Sequence, residues 1–272
     1  MAKQRLDTLL VTRQFCESRQ KAQRLIRAGE VKVNDQVIDK PGTVVEINAH
    51  LFVVQPPPFV SRGGEKLAKA LSEFPITVTG RVCLDGGIST GGFTDCLLQA
   101  GAKCVYGVDV GYGQVAWQLR QDERVILKER TNLRYLQPEE LYGEESPADF
   151  GVLDLSFISL KKVLKPLWEL LSPPREAVVL VKPQFEVGRD RVGEKGVVRS
   201  AKDHYDSITQ VISASEELGW HPLGLTYSPL RGPAGNIEYL LWLYGESPTN
   251  QVSIVTEKAI EALTKTAAEN LH

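Results

Sequence analysis

The sequence predicts two folded parts: a small α+β module and, after it, a larger α/β domain with a mainly parallel, seven-stranded sheet covered by helices on both faces. Three observations support this prediction. The chain has 272 residues, more than one domain usually holds. Consecutive prolines at 56–58 interrupt the chain after a helix-and-hairpin pattern. Beyond them, helical and strand-like patterns alternate, which is typical of a parallel sheet.

The N-terminal module covers 1–54. A first helix is predicted over 5–14, where apolar residues recur with helical spacing. Ser18 is a suitable N-cap for a second helix, and Gly29 is placed to end that helix. Strand-like runs follow between turn signals, at 31–37, 44–47 and 51–54.

Positive charge is concentrated in this module, although the whole chain carries a formal net charge of −2. On the second helix Lys21, Arg24 and Arg27 recur every three residues, away from the apolar stripe. Such clustering favours a polyanionic partner through counterion release. A solvated helix face is the alternative explanation of the same charges.

The segment 55–60 is predicted to be a stiff connector, because consecutive prolines favour an extended backbone. The larger domain then runs from 61 to 272. Its predicted helices lie at 64–74, 92–100, 114–121, 159–171, 201–218 and about 252–271, and its predicted strands at 81–85, 103–109, 124–128, 150–154, 177–182, 223–228 and 237–244.

A glycine-rich turn follows the first of these strands. The strand reaches Asp85, the turn runs from Gly86 to Thr94, and the next strand ends in a second acid, Asp109. Glycines let a backbone approach a ligand closely, and an acid at the second strand end is placed to accept hydrogen bonds from ribose hydroxyls. The pattern therefore predicts recognition of a nucleotide-like ligand, with a ligand-free tight turn as the alternative.

The residues of the turn indicate which ligand it takes. A P-loop requires lysine near its end, where this chain has Phe93, and the glycine spacing departs from the dinucleotide fingerprint. A carboxylate at Asp85 would repel a pyrophosphate but suits the ammonium and sulfonium groups of S-adenosylmethionine. We therefore predict S-adenosylmethionine as the cofactor.

Four ionisable residues stand where the sheet would bring them together. Asp154 and Lys182 end apolar strands, Lys66 begins the helix before the first strand, and Glu238 opens the last strand. A hydroxyl is a poor nucleophile until its proton is removed, and a neutral lysine can remove it. We predict that Lys182 is this general base. A nearby lysine and partial burial would lower the pKa of Lys182, whereas the carboxylates favour its ammonium form. Surface ion pairs are the alternative explanation.

Composition excludes some classes of protein. No apolar run approaches the roughly 20 residues of a membrane span, and the first residues lack a signal-peptide pattern, so we expect a soluble, cytoplasmic protein. The four cysteines form no C-x-x-C pair and are expected to be reduced core residues. We expect no metal site.

The N-terminal module resembles the S4 RNA-binding domain. The resemblance lies in the stretch from Ser18 to Ala22 and in Leu25-Ile26-Arg27-Ala28-Gly29-Glu30-Val31-Lys32-Val33-Asn34. It implies that RNA is contacted by the two helices and the loop that follows them. The residues that match by position are Arg5, Arg19, Lys21, Arg24, Arg27 and Lys32.

The order of Lys66, Asp154, Lys182 and Glu238 resembles the Lys-Asp-Lys-Glu tetrad of FtsJ-like ribose 2′-O-methyltransferases. Together with the S4-like module and long motifs such as Asp154-Leu155-Ser156-Phe157-Ile158-Ser159 and Val181-Lys182-Pro183-Gln184-Phe185-Glu186, the chain resembles the TlyA family of hemolysin-named rRNA methyltransferases. The resemblance implies a Rossmann-like domain and S-adenosylmethionine-dependent 2′-O-methylation of cytidine in ribosomal RNA. The implied partner is ribosomal RNA or a ribosomal subunit, with no membrane and no obligate protein partner.

The resemblance also implies residue roles. Asp109 would bind the cofactor ribose, Asn132 would face the adenine, and Arg62 and Phe157 would grip a phosphate and stack on the target base. A core position is the alternative for Phe157, and Ile88 stands where a small residue is expected. The segment 186–199 is either a loop that orders on RNA or an ordinary surface loop. The implied cofactor-binding residues are Asp85, Gly86, Gly87, Ser89, Thr90, Gly91, Gly92, Phe93, Asp109, Val110, Asn132, Asp154 and Leu155.

Three other functions compete with this one. A membrane-active hemolysin would require a strongly amphipathic or spanning segment, and the C-terminal helix carries too many charges for that role. An RNA-binding protein without catalysis is possible in principle, although all four tetrad positions are filled. A pseudouridine synthase is the third, because Arg5-Leu6-Asp7 imitates a catalytic tripeptide, but its position favours the beginning of a helix.

Overall fold

The computed structural model describes residues 2–54, 57–246 and 255–271. The chain divides into two compact units, one on each side of the bond between Pro57 and Pro58.

The N-terminal unit has two small antiparallel sheets and two helices around an apolar core. One sheet has the order β1-β4 and the other β3-β2-β5. The elements are β1 (Lys3–Arg5), α1 (Leu6–Thr12), α2 (Arg19–Arg27), β2 (Val31–Val33), β3 (Gln36–Val37), β4 (Val44–Glu46) and β5 (Leu51–Val53).

Local sequence signals account for most of this unit. The hydroxyl of Ser18 accepts a hydrogen bond from the backbone N–H of Lys21, so the predicted N-cap of α2 is confirmed. The predicted helix over 5–14 is wrong at its start, because Arg5 lies in β1 and pairs with Val44. The predicted strand over 31–37 is a hairpin, since Asn34 and the residue after it have φ values of 49° and 65°.

The larger unit contains seven strands and eight helices in the part of the chain that the structure describes. Its elements are α3 (Gly63–Glu73), β6 (Val82–Gly86), α4 (Gly92–Gln99), β7 (Cys104–Val108), α5 (Trp117–Arg120), β8 (Val125–Lys128), α6 (Pro138–Tyr142), β9 (Phe150–Leu153), α7 (Leu164–Leu170), β10 (Glu176–Val181), α8 (Pro183–Glu186), α9 (Ala201–Glu216), β11 (His221–Tyr227), β12 (Tyr239–Tyr244) and α10 (Glu257–Asn270).

The seven strands form one sheet in the order β11-β12-β10-β9-β6-β7-β8. β12 is antiparallel to both of its neighbours, and all other neighbouring pairs are parallel. The predicted mainly parallel, seven-stranded sheet is therefore confirmed. The strand order reverses between β6 and β9, and ligands of open α/β sheets bind at the carboxyl ends of strands beside such a reversal.

Side chains alternate between the two faces of this sheet, and each face has its own core. Leu84 on β6 and Leu153 on β9 face the core built with α7, α9 and α10. Cys83 and Val152 face the core built with α3 and α4. Both faces of the central strands are thus covered, which explains why these strands are almost continuously apolar.

Several predicted boundaries change. The predicted helix over 114–121 is reduced to the four residues of α5, and α6 and α8 were not predicted. The predicted C-terminal helix begins at Glu257, and its first predicted residues, 252–254, lie outside the described residues. Four- and five-residue helices carry too few turns for a periodic apolar pattern, which explains the two missed elements.

The predicted connector is described only from Pro57 onward, since 55 and 56 lie outside the described residues. Its last residues are bound to the larger unit. The backbone N–H of Val60 donates to Asp95 at 2.8 Å, and Phe59 packs against the core near α3. The four cysteines are free. In residues 2–54, 57–246 and 255–271, no helix combines the length and apolar character that crossing a bilayer requires.

Candidate cofactor and catalytic site

The glycine-rich turn brings the end of β6 against the end of β9. Gly87 has φ +85°, and a Cβ on it would lie 2.6 Å from the backbone oxygen of Asp154. The N–H of Asp154 in turn donates to the backbone oxygen of Gly86 at 3.1 Å. A residue with a side chain would be strained and would collide at this place, so glycine is required to bring the two strand ends together.

From the sequence we expected Asp85 at the mouth of this turn, but the structure does not place it there. Its carboxyl group is fully buried and lines neither of the two cavities described below. One oxygen accepts a hydrogen bond from the Thr94 hydroxyl at 2.6 Å, and the other has no hydrogen-bond partner among the described residues. Burial raises the pKa of Asp85 to about 7. The carboxyl therefore sits beneath the turn.

This burial has a measurable consequence for stability. Because the pKa of Asp85 is raised in the folded state, the folded protein keeps a proton between about pH 4 and pH 7 that the unfolded chain releases. The free energy of unfolding of the wild type then falls as pH rises through this window. We expect Asp85→Asn to gain stability relative to the wild type, on the order of a few kcal/mol by pH 7.5. Urea unfolding of both proteins from pH 4 to pH 8 checks this. A difference that stays constant with pH would contradict it.

Asp109 follows β7 and faces a cavity of about 470 Å³. Its two carboxylate oxygens accept hydrogen bonds from the backbone N–H groups of Ser89, at 2.8 Å, and Gly111, at 2.7 Å. A carboxylate offers about four acceptor positions, so two further hydrogen bonds remain possible. The cavity is also lined by Gly87, Val110, Gln114, Asn132, Asp154, Leu155 and Phe157.

A second cavity, of about 290 Å³, adjoins the first. Both are lined by Gly87, Ser89, Asp154 and Ser156, so the two spaces share one wall. The second cavity is further lined by Ser61, Arg62, Lys66, Thr90, Gly92, Phe93, Lys182 and Arg231.

Three residues of the turn have packing roles. Gly86 and Gly91 line neither cavity, and Ile88 lines the second cavity although its side chain is buried. A Cβ on Gly86 would collide with Leu153, and one on Gly91, which has φ +96°, would collide with Leu119. Ile88 is buried and its side chain packs in the space that Gly107 leaves free. The bulk of Ile88 is thus directed into the core.

The four ionisable residues predicted to meet do lie together: Lys66, Asp154 and Lys182 line the second cavity, and Glu238 is buried behind Lys66. Lys182 contacts Asp154 at 2.6 Å, Lys66 contacts Glu238 at 2.6 Å, and the Nζ of Lys66 is 3.9 Å from Asp154. The Nζ of Lys182 also donates to the hydroxyl of Ser156 at 3.0 Å. Two lysine amines and two carboxylates thus alternate in one chain, in which each buried group has a partner of opposite type.

In the N-terminal unit, the predicted basic residues fall into two groups. Arg5 and Arg19 both bind the buried carboxylate of Asp7 at 2.9 Å, and their side chains stay about half exposed. The hydrogen bond from Arg5 holds the pKa of Asp7 well below its usual range. Asp7 is therefore a fully engaged structural acceptor, which disfavours a catalytic role for the Arg5-Leu6-Asp7 tripeptide.

The second group is more available. Arg24 and Arg27 are exposed on α2 and form no ion pair within the described residues. Lys21 pairs weakly with Glu17, at 3.6 Å, and the Nζ of Lys32 lies 5.9 Å from the centre of the Phe52 ring. Cations without carboxylate partners keep their charge for an external anion.

Comparison with known proteins shows which families the two units match. Residues 59–244 match the family model of FtsJ-like methyltransferases, and residues 4–51 match that of the S4 domain. The chain is 49% identical over 241 residues to the 16S/23S rRNA (cytidine-2′-O)-methyltransferase TlyA of Mycobacterium tuberculosis, covering 88% of this chain and 89% of the relative. The chain belongs to the TlyA family of FtsJ-like methyltransferases.

Two further relatives extend over almost the whole chain. A Bacillus subtilis (strain 168) protein named as a candidate rRNA methyltransferase, YqxC, is 47% identical over 276 residues, which is 98% of each chain. The solved structure of a hemolysin-named protein from Streptococcus thermophilus is 39% identical, with a TM-score of 0.73, and covers 99% of this chain and 97% of that one.

S-adenosylmethionine is the cofactor that the methyltransferase fold and family imply. The residues present fit it. The cavity beside Asp109 has the size of a small-molecule site, and the spare acceptor positions of that carboxylate suit ribose hydroxyls. Val110, Asn132 and Leu155 also line this cavity, and Ser89 and Thr90 line the adjoining cavity that contains Lys182.

Two members of the methyltransferase site were missed by the sequence reasoning. Ser156 binds Lys182, and Arg231 lines the cavity of the ion pairs. Ser156 lies two residues after the strand-end acid Asp154, and this proximity could have indicated it. Arg231 lies in a glycine- and proline-rich loop between β11 and β12, where no periodic pattern distinguishes one residue from another.

The remaining candidates lie near the site. Arg62 is exposed and lines the cavity of the ion pairs. Phe157 is 92% exposed with φ +64°, and its ring contacts that of Phe185 at 5.4 Å, so a core position is excluded. The segment 186–199 is held by side-chain contacts. Arg191 binds Asp203, and the side chain of Asn236 accepts a hydrogen bond from the N–H of Val198 and donates one to the backbone oxygen of Gly196.

Proposed function

We propose that this protein methylates the ribose 2′-oxygen of cytidine in ribosomal RNA, using S-adenosylmethionine and Lys182 as general base. One observation carries the proposal: Lys182, Asp154 and Lys66, three linked members of the chain of ion pairs, line a cavity that shares a wall with the cavity beside Asp109. The substrate is inferred from the relatives, one of which is named an rRNA (cytidine-2′-O)-methyltransferase.

The cofactor supplies an electrophilic methyl group. The residues of this chain must then hold a ribose hydroxyl in line and remove its proton. In our proposal Lys182, in its neutral form, accepts that proton, and Asp154 with Ser156 fixes the direction of the Lys182 amine. Lys66 is held by Glu238 and lies beside the carboxylate oxygen of Asp154 that Lys182 does not contact. In our proposal it keeps this carboxylate in place.

Other exposed residues are proposed to bind the RNA. Phe157 presents an aromatic ring in a strained, left-handed backbone conformation at the edge of the cofactor cavity, where a displaced base can stack on it. Arg62 lines the adjoining cavity and is proposed to bind a phosphate. In the S4 domain the proposed RNA contacts are Arg5, Arg19, Lys21, Arg24, Arg27 and Lys32.

Two experiments test the proposed function. In thermal unfolding, S-adenosylmethionine should raise the midpoint temperature, whereas NAD and ATP should leave it unchanged. Methyl transfer from labelled cofactor to separated ribosomal subunits should label at least one subunit. Stabilisation by the cofactor without labelling of either subunit would contradict the catalytic part and favour an RNA-binding protein without catalysis.

A further inference from the structure

Arg231 occupies a distinctive position at the carboxyl edge of the sheet. It is exposed, lines the cavity of Lys66 and Lys182, and also lines a separate, larger cavity on its other side. Its Nε donates to the backbone oxygen of Leu271 at 2.5 Å, and one Nη donates to the backbone oxygen of Gly235 at 3.0 Å. The guanidinium is thus fixed in direction by two neutral acceptors.

The positive charge of Arg231 is not compensated by a carboxylate of the described residues. Within the described part of the chain Arg231 forms no ion pair, whereas Arg81, Arg120 and Arg191 each bind one or two carboxylates. A guanidinium has five N–H donors, and the two bonds to Leu271 and Gly235 leave three of them for another ligand. An oriented guanidinium with a free charge is suited to a phosphate.

The larger cavity has about 1170 Å³ and lies between α9, α10 and the loop that holds Arg231. We call it the α9–α10 groove and define it by Arg199, Lys202, Tyr205, Arg231, Ile237 and Lys265. Arg199, Lys202 and Lys265 are exposed and, among the described residues, form no ion pair. Of the two acids in its wall, Asp206 is bound by Arg191, which leaves Glu261.

We propose that the α9–α10 groove binds the part of the RNA strand adjacent to the methylated nucleotide, with Arg231 binding the phosphate between them. This inference rests on the proposed function, because it takes RNA as the substrate. The two cavities meet at Arg231, so a strand that places one ribose beside Lys182 continues past this guanidinium into the groove.

The chemistry of the groove fits such a strand. Its cations suit phosphates, and the ring of Tyr205 offers a flat surface on which a base can stack. The cavity of Lys182 also contains Arg62, so two guanidiniums border the space for the target nucleotide. A nucleotide inside a chain has a phosphate on each side. The arrangement therefore selects an internal nucleotide over a free nucleoside.

The test compares KM for the RNA substrate and its dependence on salt. We expect Arg231→Ala to raise KM for ribosomal subunits about tenfold, a larger change than any in kcat. The Kd for S-adenosylmethionine should stay unchanged, because Arg231 does not line the cavity beside Asp109. Each lost phosphate contact lowers the slope of log affinity against log salt by about 0.7 for a single strand. We expect the slope to fall by about 0.7 in Arg231→Ala and by about twice that in the double variant Lys202→Ala with Lys265→Ala. Arg231→Lys should keep the wild-type slope.

Two controls separate RNA binding from structural effects. Asn270→Ala removes a different polar contact at the end of α10, the hydrogen bond from Asn270 to the hydroxyl of Tyr227, and should leave the slope unchanged. Lys103→Ala removes an exposed lysine before β7, at the amino ends of the strands, and should also behave as the wild type.

The outcomes distinguish the two proposals. If the wild type labels neither ribosomal subunit, the proposed function fails. If the wild type is active but Arg231→Ala has a wild-type KM and salt slope, the groove proposal alone is overturned. It is also overturned if Arg231→Ala lowers kcat without changing KM, or if Asn270→Ala and Lys103→Ala change the slope as much as the groove variants do.

Discussion

Lys182→Ala is expected to lower the rate of methyl transfer by roughly 10² to 10⁴-fold, the usual contribution of a general base. The variant loses the one amine that contacts both Asp154 and Ser156. Cofactor binding should be retained, because the cavity beside Asp109 is not lined by Lys182. Single-turnover methyl transfer under saturating cofactor measures the chemical step, and the cofactor Kd is measured separately.

Conservative variants at the same position sharpen this test. Lys182→Arg keeps a positive charge beside Asp154, but a guanidinium does not lose its proton near neutral pH, so we expect it to be as slow as Lys182→Ala. Ser156→Ala removes one hydrogen bond and leaves the amine, so its rate should fall much less. A wild-type rate of methyl transfer in Lys182→Ala would refute the assignment.

Gly87→Ala is expected to have the second-largest effect, on both stability and cofactor binding. The left-handed backbone at φ +85° costs a residue with a Cβ about 1–2 kcal/mol, and this Cβ would lie 2.6 Å from the backbone oxygen of Asp154. To relieve the contact the turn must move away from β9, which separates Ser89 from Asp154. We expect a loss of a few kcal/mol of stability and at least a tenfold weaker binding of S-adenosylmethionine.

Gly80→Ala is the matched control for this variant. Gly80 has a similar φ, +78°, but no heavy atom lies within 4 Å of the place where its Cβ would be. It precedes β6 at the opposite end of the strand. The backbone strain is therefore reproduced without the collision, and cofactor binding should be that of the wild type. Equal losses of binding in the two variants would show that the contact with Asp154 is unimportant.

Much of the fold of the larger domain, and of its candidate site, could be predicted from the sequence. Parallel strands end at one edge, so the strand-end positions of Asp109, Asp154 and Lys182 were enough to place them near one another. The contact between Lys66 and Glu238 was harder to predict, because the two residues are 172 positions apart and neither ends a buried parallel strand. Only the order of the strands in the sheet brings them together.

Other features depend on side-chain packing, which the sequence does not determine locally. The sequence correctly predicted that Asp85 lies near the end of a strand, but its carboxyl group is buried beneath the glycine-rich turn and accepts a hydrogen bond from Thr94. Arg5 and Arg19 were identified as cations, whereas the buried Asp7 that holds both could not be inferred from charge spacing. Arg231 was missed because its contacts come from the far end of the chain, at Leu271.

The most direct test of the proposed reaction identifies the methylated atom. Ribosomal subunits that lack the modification are incubated with the protein and labelled S-adenosylmethionine, and the RNA is digested to nucleosides for separation by mass. We predict that the label appears in 2′-O-methylcytidine, and that it is absent when Lys182→Ala replaces the wild type. Label in a base-methylated nucleoside, or no label in RNA with a folded and cofactor-bound wild type, would contradict the proposed ribose methylation.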